Sequence, residues 1–214
     1  MRRSTWRILL LMGMVVAWAG LATPTLADHD VYFGSSYAHI CDATPLSQCI
    51  ANDAAHRYSL DAGLSSLRGS ATSRAMIEYG GNSDITTSTL YPFDVIVYEW
   101  NRPDVNAFAW GQCAPQGPYG PQYGGSDAAH TRWCSLQYIV WNTWSAAANK
   151  VNTTAKYNSI GCHETGHTIG LRHRSTTPTT CMKPASSGPS DPNSVVPSIQ
   201  DPAAADYTRI NLHF

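Results

Sequence analysis

The most constraining feature of this 214-residue chain is the spacing of three histidines and one glycine between positions 163 and 173. His163 and His167 are four residues apart, so on an α-helix they lie only about 40° apart around the axis and share one face. His173 comes six residues after His167, about 240° further around a continued helix, and would point away. Gly170 lies between them, and glycine is the residue type that ends a helix in a left-handed conformation. The spacing therefore predicts a helix that stops near Gly170 and a chain that turns back to deliver His173.

Three imidazoles at one point are the donor set of a metal site. Three protein ligands leave one position of a tetrahedral ion open, which is typical of catalytic rather than structural zinc. Glu164 directly follows the first histidine, so its carboxylate can lie beside the ion and accept a proton from a water that the metal activates. The pattern predicts one Zn²⁺ held by His163, His167 and His173, with Glu164 as the general base in the hydrolysis of an amide.

The first 27 residues have the layout of a secretion signal. Arg2, Arg3 and Arg7 precede an uninterrupted apolar run over residues 8–22, and small residues then lead to Ala27, as signal-peptide cleavage requires. The run is shorter than the roughly 20 apolar residues that span a membrane, which favours a cleaved signal over an uncleaved anchor. We expect residues 1–27 to be removed and residues 28–214 to form one secreted, extracellular domain.

Composition narrows the range of partners. The chain has 43% hydrophobic and 14% charged residues, and its 14 basic residues nearly balance 15 acidic ones. No basic field is present to hold a nucleic-acid backbone, and no second apolar stretch of membrane length follows the signal. We therefore expect neither a nucleic-acid nor a membrane partner for the mature protein, while its oligomeric state is left open.

Local patterns predict the remaining elements. Apolar residues at helical spacing predict one or two helices over residues 49–67, and Gly80, Gly81 and Asn82 are predicted to break the chain. Residues 92–100, 105–110 and 134–142 are predicted strands, with a loop rich in glycine and proline over 113–125. A helix is predicted over 146–169 with a fresh start near Thr153, then irregular chain over 175–202 and a short helix over 203–211.

The pattern from His163 to His173 resembles the zinc-binding signature of the metzincin metallopeptidases, most closely the matrixin-like members. Met182, nine residues after the last histidine, is at the position of that family's methionine turn. The resemblance implies that the three histidines bind zinc, that Glu164 is the general base and that Met182 forms a hydrophobic floor. It also implies an α/β fold in which a mixed twisted sheet and two long helices lie above a small irregular C-terminal subdomain.

The resemblance also bears on the six cysteines, an even number that reads as disulfides in an exported chain. Cys162 and Cys181 directly precede the first ligand and the methionine, so in the family's architecture both would flank the metal, and we expect a disulfide between them. A buried free thiol at Cys162 is the alternative. Sequence neighbours would form the other two pairs, Cys113 with Cys134 and Cys41 with Cys49.

Three functions are compatible with these features. The first is a secreted zinc endopeptidase acting on proteins or peptides, with the strand over 105–110 pairing with extended substrate by family analogy. The second is a zinc hydrolase of cell-wall peptide bridges, and the third is a secreted zinc-binding protein without activity, against which the presence of Glu164 counts. Asp127 and His130 could hold a structural Ca²⁺ or a second zinc, but their spacing matches no ligand pattern and favours solvated loop residues.

Overall fold

The computed structural model describes residues 50–51, 54–113, 123–124, 133–134, 136–171, 173, 180–183 and 185–213. The predicted signal peptide, the Cys41–Cys49 pair, Asp127 and His130 lie outside these residues. The side chains of Cys113 and Cys134 are also outside the description, so their pairing stays a prediction, as does the division into a signal and one domain.

The described elements follow one another as short strands, two long helices and two shorter ones. In chain order they are β1 (Ile50–Ala51), β2 (Ala55–Leu60), α1 (Ser66–Asn82), β3 (Thr86–Ser88), β4 (Val95–Trp100), β5 (Ala109–Cys113), β6 (Tyr123–Gly124), β7 (Trp133–Cys134), β8 (Gln137–Asn142), α2 (Ser145–Ala148), α3 (Thr154–Ile169) and α4 (Ala204–His213).

The main sheet has five strands in the order β3-β2-β4-β8-β5. The pairs β2–β3, β2–β4 and β4–β8 are parallel, whereas β5 runs antiparallel to β8 and ends the sheet on that side. A smaller sheet has the order β1-β7-β6. The predicted α/β class, with a mixed sheet, two long helices and an irregular C-terminal part, is confirmed.

The two long helices, α1 and α3, touch at backbone distance. A Cβ atom built on Gly161 of α3 would lie 2.8 Å from the carbonyl carbon and oxygen of Ala71 in α1. Glycine is therefore required at this crossing, because any larger residue would push the helices apart. The contact fixes α3, which carries His163 and His167, on the rest of the core.

The helices predicted over 49–67 are wrong. Residues 55–60 form β2, whose inward-facing residues include His56 and Tyr58, and helix α1 begins only at Ser66. Leu60 and Leu67, which contributed to the helical spacing, are 37% and 50% exposed, so the spacing did not mark a buried face. Helix α1 continues through Gly80 and Gly81 and ends at Asn82, the last residue of the predicted break.

The strand predicted over 105–110 is also misplaced, because residues 102–107 are folded around the buried side chain of Asn142. Its Nδ2 donates to the carbonyl oxygens of Arg102 at 3.0 Å and Ala107 at 2.9 Å, with Val105 as a third acceptor at 3.3 Å. The strand therefore begins at Ala109 and continues to Cys113.

A short strand, Tyr123–Gly124, also lies within the predicted loop. The strand predicted over 134–142 is divided into β7 and β8.

The remaining local predictions agree with the structure. Strand β4 lies within the predicted 92–100, and helix α3 restarts after Thr153. Residues 180–183 and 185–202, the described part of the proline-rich segment, contain neither helix nor strand, and α4 follows. No helix among the described residues is long and apolar enough to cross a membrane.

Candidate metal centre and cleft

Helix α3 has defined signals at both ends. The Thr153 hydroxyl accepts a hydrogen bond from the Lys156 amide at 3.3 Å and caps the N-terminus. Gly170 has φ = 123°, a conformation that side chains with a Cβ rarely adopt. The next amide, that of Leu171, turns back and donates to the carbonyl of Gly166 at 2.8 Å. The helix therefore ends where the glycine predicted, and the chain reverses toward His173.

This turn brings three imidazole rings together. Nε2 of His163 lies 3.0 Å from Nε2 of His167 and 3.0 Å from Nε2 of His173. One nitrogen from each ring falls within a group whose members are all within 4.8 Å of one another. Three nitrogens at one point, with no carboxylate among them, are a donor set that suits zinc and related transition metals.

The opposite ring nitrogens of two histidines are held by backbone carbonyls. Nδ1 of His163 donates to the carbonyl of Cys181 at 2.8 Å, and Nδ1 of His167 donates to the carbonyl of Leu171 at 2.7 Å. A carbonyl only accepts, so the proton of each neutral ring must be on Nδ1. The lone pairs on Nε2 are consequently directed to the common point, as in metal-ligating histidines.

The surroundings also keep these rings neutral. Desolvation of the His163 ring lowers its pKa to about 3, and the neighbouring His173 acts in the same direction. Burial likewise lowers the pKa of His167 well below its ordinary value, with both other histidines contributing. A metal competes with protons for the imidazole lone pair, so low proton affinity leaves the nitrogens available near neutral pH.

Glu164 is buried beside this centre, next to the edge strand. Its carboxyl accepts a hydrogen bond from the backbone amide of Gly111 in β5, while burial is the stronger influence and raises its pKa to about 8. The second oxygen, Oε2, is buried without a hydrogen-bond partner. A buried polar atom without a partner is costly, and a nearby cation would both interact with this carboxylate and lower its pKa. The unpartnered oxygen and the three imidazoles thus fit a bound metal ion.

Met182 and a disulfide lie beneath the helix. Cys162 and Cys181, with Cα atoms 5.9 Å apart, are joined as the sequence analysis expected. Both cysteines and Met182 are fully buried. A Cβ on Gly166 would overlap the Met182 sulfur and lie 2.6 Å from the Tyr79 hydroxyl, so the methionine packs directly against the backbone between the first two histidines.

A cleft of about 350 Å³ opens at the three histidines. It is lined by the segment from Asn106 to Gly111, which leads into the edge strand and includes its first residues, and by residues between 183 and 197. Phe108, Ile160 and Val196 supply much of its apolar wall. The cleft can therefore receive an extended chain together with an uncharged side chain.

The sequence predicted no role for His56, but the side chain of this residue, in strand β2, contacts helix α3. The Thr168 hydroxyl donates to the carbonyl of Thr165 at 2.8 Å, so it accepts from Nε2 of His56 at 2.9 Å. Gln137 of β8 donates to the carbonyl of Thr168. Burial lowers the pKa of His56 to about 4, which keeps the ring neutral. The alternation of residues 56 and 58 on the inward face of a strand was the sequence signal that could have indicated a buried role for His56.

Comparison with known proteins adds little beyond the fold. No protein-family model matches the sequence, and no curated protein does. Among solved structures, the chain is similar to that of myroilysin, with 11% sequence identity over 73% of this chain and 90% of the other and a TM-score of 0.42. Similarity at this level carries no conclusion on activity, which has to be argued from the residues of this chain.

Proposed function

We propose that this chain is a secreted, zinc-dependent endopeptidase of the metzincin type. The observation that carries the proposal is the convergence of Nε2 from His163, His167 and His173 beside an unpartnered carboxylate oxygen of Glu164. The cleft at this point, bounded by a sheet edge, supplies space for a peptide.

Each histidine has the role of a metal ligand, and the carbonyls of Cys181 and Leu171 hold two of the rings in the required tautomer and orientation. When bound, zinc would supply a Lewis acid that polarises a carbonyl and makes water acidic. Met182 packs under the helix that carries the first two ligands. Its role is to keep their spacing fixed.

Glu164 is the group that moves the proton. Its Oε2 has no other partner, so that it can take a proton from the attacking water and return it to the leaving amine. The hydrogen bond from the Gly111 amide keeps the carboxyl in place. Burial alone favours the protonated form of Glu164, whereas a cation held by the three histidines would favour the carboxylate that a general base requires.

The edge strand favours a peptide over other amides. Strand β5 pairs with β8 on one side, and no described strand pairs with its other side. Exposed backbone groups on such an edge recognise an extended peptide by adding it as a strand. The segment from Asn106 to Gly111 lines the cleft beside Glu164, which would bring a paired peptide bond to the catalytic group.

Secretion rests on two features. The first is the predicted signal over residues 1–27, and the second is the disulfide between Cys162 and Cys181, a bond that persists in oxidising compartments.

The test is to load the mature protein with zinc and to incubate it with an unfolded protein and, separately, with purified peptidoglycan. Cleavage of the unfolded protein supports the endopeptidase, while cleavage confined to peptidoglycan would assign the cell-wall alternative.

Glu164→Gln should keep one zinc per chain and lower the rate of hydrolysis roughly 10²- to 10⁴-fold. His173→Ala should weaken zinc binding itself. Zinc binding without any hydrolysis by the unmodified protein would leave only a binding function.

A further inference from the structure

Asn106 and the segment over residues 187–190 form a hydrogen-bonded contact across one end of the cleft. Oδ1 of Asn106 accepts from the backbone amide of Ser190 at 2.9 Å and from the Ser190 hydroxyl at 2.8 Å. Asn106 belongs to the segment that leads into β5, whereas Ser190 belongs to the irregular C-terminal part. The contact therefore joins the two chain segments that line this end of the cleft.

Gly188 fits closely against the same side chain. A Cβ atom built on Gly188 would overlap the Asn106 carboxamide. Asn106 and Gly188 both line the cleft. We call these three residues, Asn106, Gly188 and Ser190, the clasp.

The rest of the C-terminal wall is independently anchored. The Lys150 ammonium donates to the carbonyl of Asp191, and the Ser194 hydroxyl donates to the carbonyl of Ser187 at 2.5 Å. These bonds hold the segment to Lys150, which follows α2, and to itself, but neither reaches the segment that leads into β5. Among the described residues, the Asn106 carboxamide makes the hydrogen bonds that join the two segments at this end of the cleft.

We propose that the clasp fixes the width of the cleft and thereby limits the size of the substrate side chain that it admits. The proposal rests on the proposed function, because it deepens the specificity of the same site. Phe108, Ile160 and Val196 line the cleft, so the side chain in question is apolar. Asn106 is a positioning residue in this scheme, since it acts through the wall and has no part in the chemistry.

The test measures binding without turnover. Zinc-loaded protein carrying Glu164→Gln is titrated with fluorescent peptides that differ only in one apolar residue beside the scissile bond, from alanine through leucine to tryptophan. With the clasp intact, we expect binding to weaken at least tenfold from leucine to tryptophan. Adding Asn106→Ala should reduce that discrimination to less than threefold, while binding of zinc and of the alanine peptide stays within twofold.

Two further variants distinguish the clasp from a general loosening. Asn106→Asp keeps an oxygen that accepts both Ser190 hydrogen bonds and should retain the discrimination. Asn193→Ala makes the same type of change in the C-terminal segment, where the side chain of an exposed asparagine lies outside the cleft lining, and should change nothing. As a single substitution, Gly188→Ala should relax the size discrimination. Combined with Asn106→Ala it should cause no further change, because alanine at position 106 leaves room for the new Cβ.

The outcomes separate this inference from the proposed function. Unchanged size discrimination in Asn106→Ala, or equal relaxation in Asn193→Ala, would overturn the clasp even if the parent protein hydrolyses peptides. Failure of the parent protein to hydrolyse any peptide would overturn the proposed function, while relaxed discrimination in the binding series would still support the clasp. If no peptide binds to the zinc-loaded Glu164→Gln protein although the parent protein hydrolyses peptides, the clasp is wrong and the proposed function stands.

Discussion

The Nδ1–H group of His163 donates to the carbonyl oxygen of Cys181 at 2.8 Å, and the residue that precedes His163 is bonded covalently to the same cysteine. One residue of the turn before Met182 thus holds the ligand-bearing helix by a ring hydrogen bond and by a disulfide. The orientation of His163 is therefore coupled to the integrity of the bond between Cys162 and Cys181.

The first prediction concerns that coupling. Replacing both Cys162 and Cys181 by serine opens a loop with a sequence separation of 19 residues, which the chain-entropy account values at about 3 kcal/mol of unfolding free energy. Because the Cys181 carbonyl orients a ligand, zinc affinity should also fall by about tenfold or more. Denaturant unfolding and a competitive zinc titration measure the two effects. Lower stability with unchanged zinc affinity would show that the bond supports the fold and not the site.

The second prediction compares two helical glycines. Alanine is favoured over glycine within a helix by about 1 kcal/mol, and Gly81 of α1 has no atom within 4 Å of an added Cβ. Gly81→Ala should therefore raise the unfolding free energy by several tenths of a kcal/mol to about 1 kcal/mol. Gly166→Ala should lower it by about 1 to 3 kcal/mol, because its Cβ would overlap the Met182 sulfur and crowd the Tyr79 hydroxyl.

Matched urea unfolding curves for the two variants decide this comparison. An increase in stability for Gly166→Ala would mean that Met182 does not pack against α3. A decrease for Gly81→Ala would point to an additional role of that exposed glycine in ending α1.

The local chain geometry around the histidines was predictable from the sequence to a greater degree than the order of the other elements. The helical positions of His163 and His167 and the stop at Gly170 depend on neighbours within one short segment, and local geometry settles them. Helix α1 was missed because its buried face consists mainly of small or polar residues, namely Gly69, Ala71, Thr72 and Ala75, with Met76 and Tyr79. Small residues give a weak hydrophobic period, although the close crossing with α3 at Gly161 requires them.

The start of β5 was misjudged for a different reason. The residues over 105–108 have strand-like composition, but the carbonyls of Val105 and Ala107 accept from the side chain of Asn142, which is distant in sequence. Tertiary hydrogen bonds of this kind override local propensity. The clasp at Asn106 was hidden for the same reason, since its partners lie more than 80 residues further along the chain.

The third prediction concerns pH and His56. Burial lowers its pKa in the folded protein from the ordinary 6.5 to about 4, so between these values the unfolded chain binds the additional proton. The contribution of neutral His56 to the unfolding free energy is fully present above about pH 6.5. It is lost as the pH falls toward 4, by up to about 3 kcal/mol. His56→Gln keeps a donor for Thr168 and should lose less stability on acidification.

Urea unfolding of metal-free protein at about pH 7.5 and pH 4.5 measures this difference. Other histidines titrate in both proteins, so the comparison of the parent with His56→Gln isolates the contribution of residue 56. Equal losses of stability in both proteins would show that His56 does not remain neutral in the fold.

The last prediction tests how the edge strand is placed. Asn142 is 2% exposed, its Nδ2 donates to three carbonyls, and its Oδ1 accepts from the amides of Arg102 and Trp144. Asn142→Asp would replace the donor by a carboxylate oxygen facing carbonyls, so the unfolding free energy should fall by about 3 kcal/mol or more. Because the same carbonyls position the start of β5, hydrogen exchange should accelerate at Ala109 and Trp110 while α1 stays protected.

The exposed Asn193 is the matched control, and Asn193→Asp should change stability by no more than about 0.5 kcal/mol. Equal effects of the two substitutions would contradict the role of Asn142, and a loss of stability without faster exchange in β5 would show that the strand is held by its pairing with β8 alone.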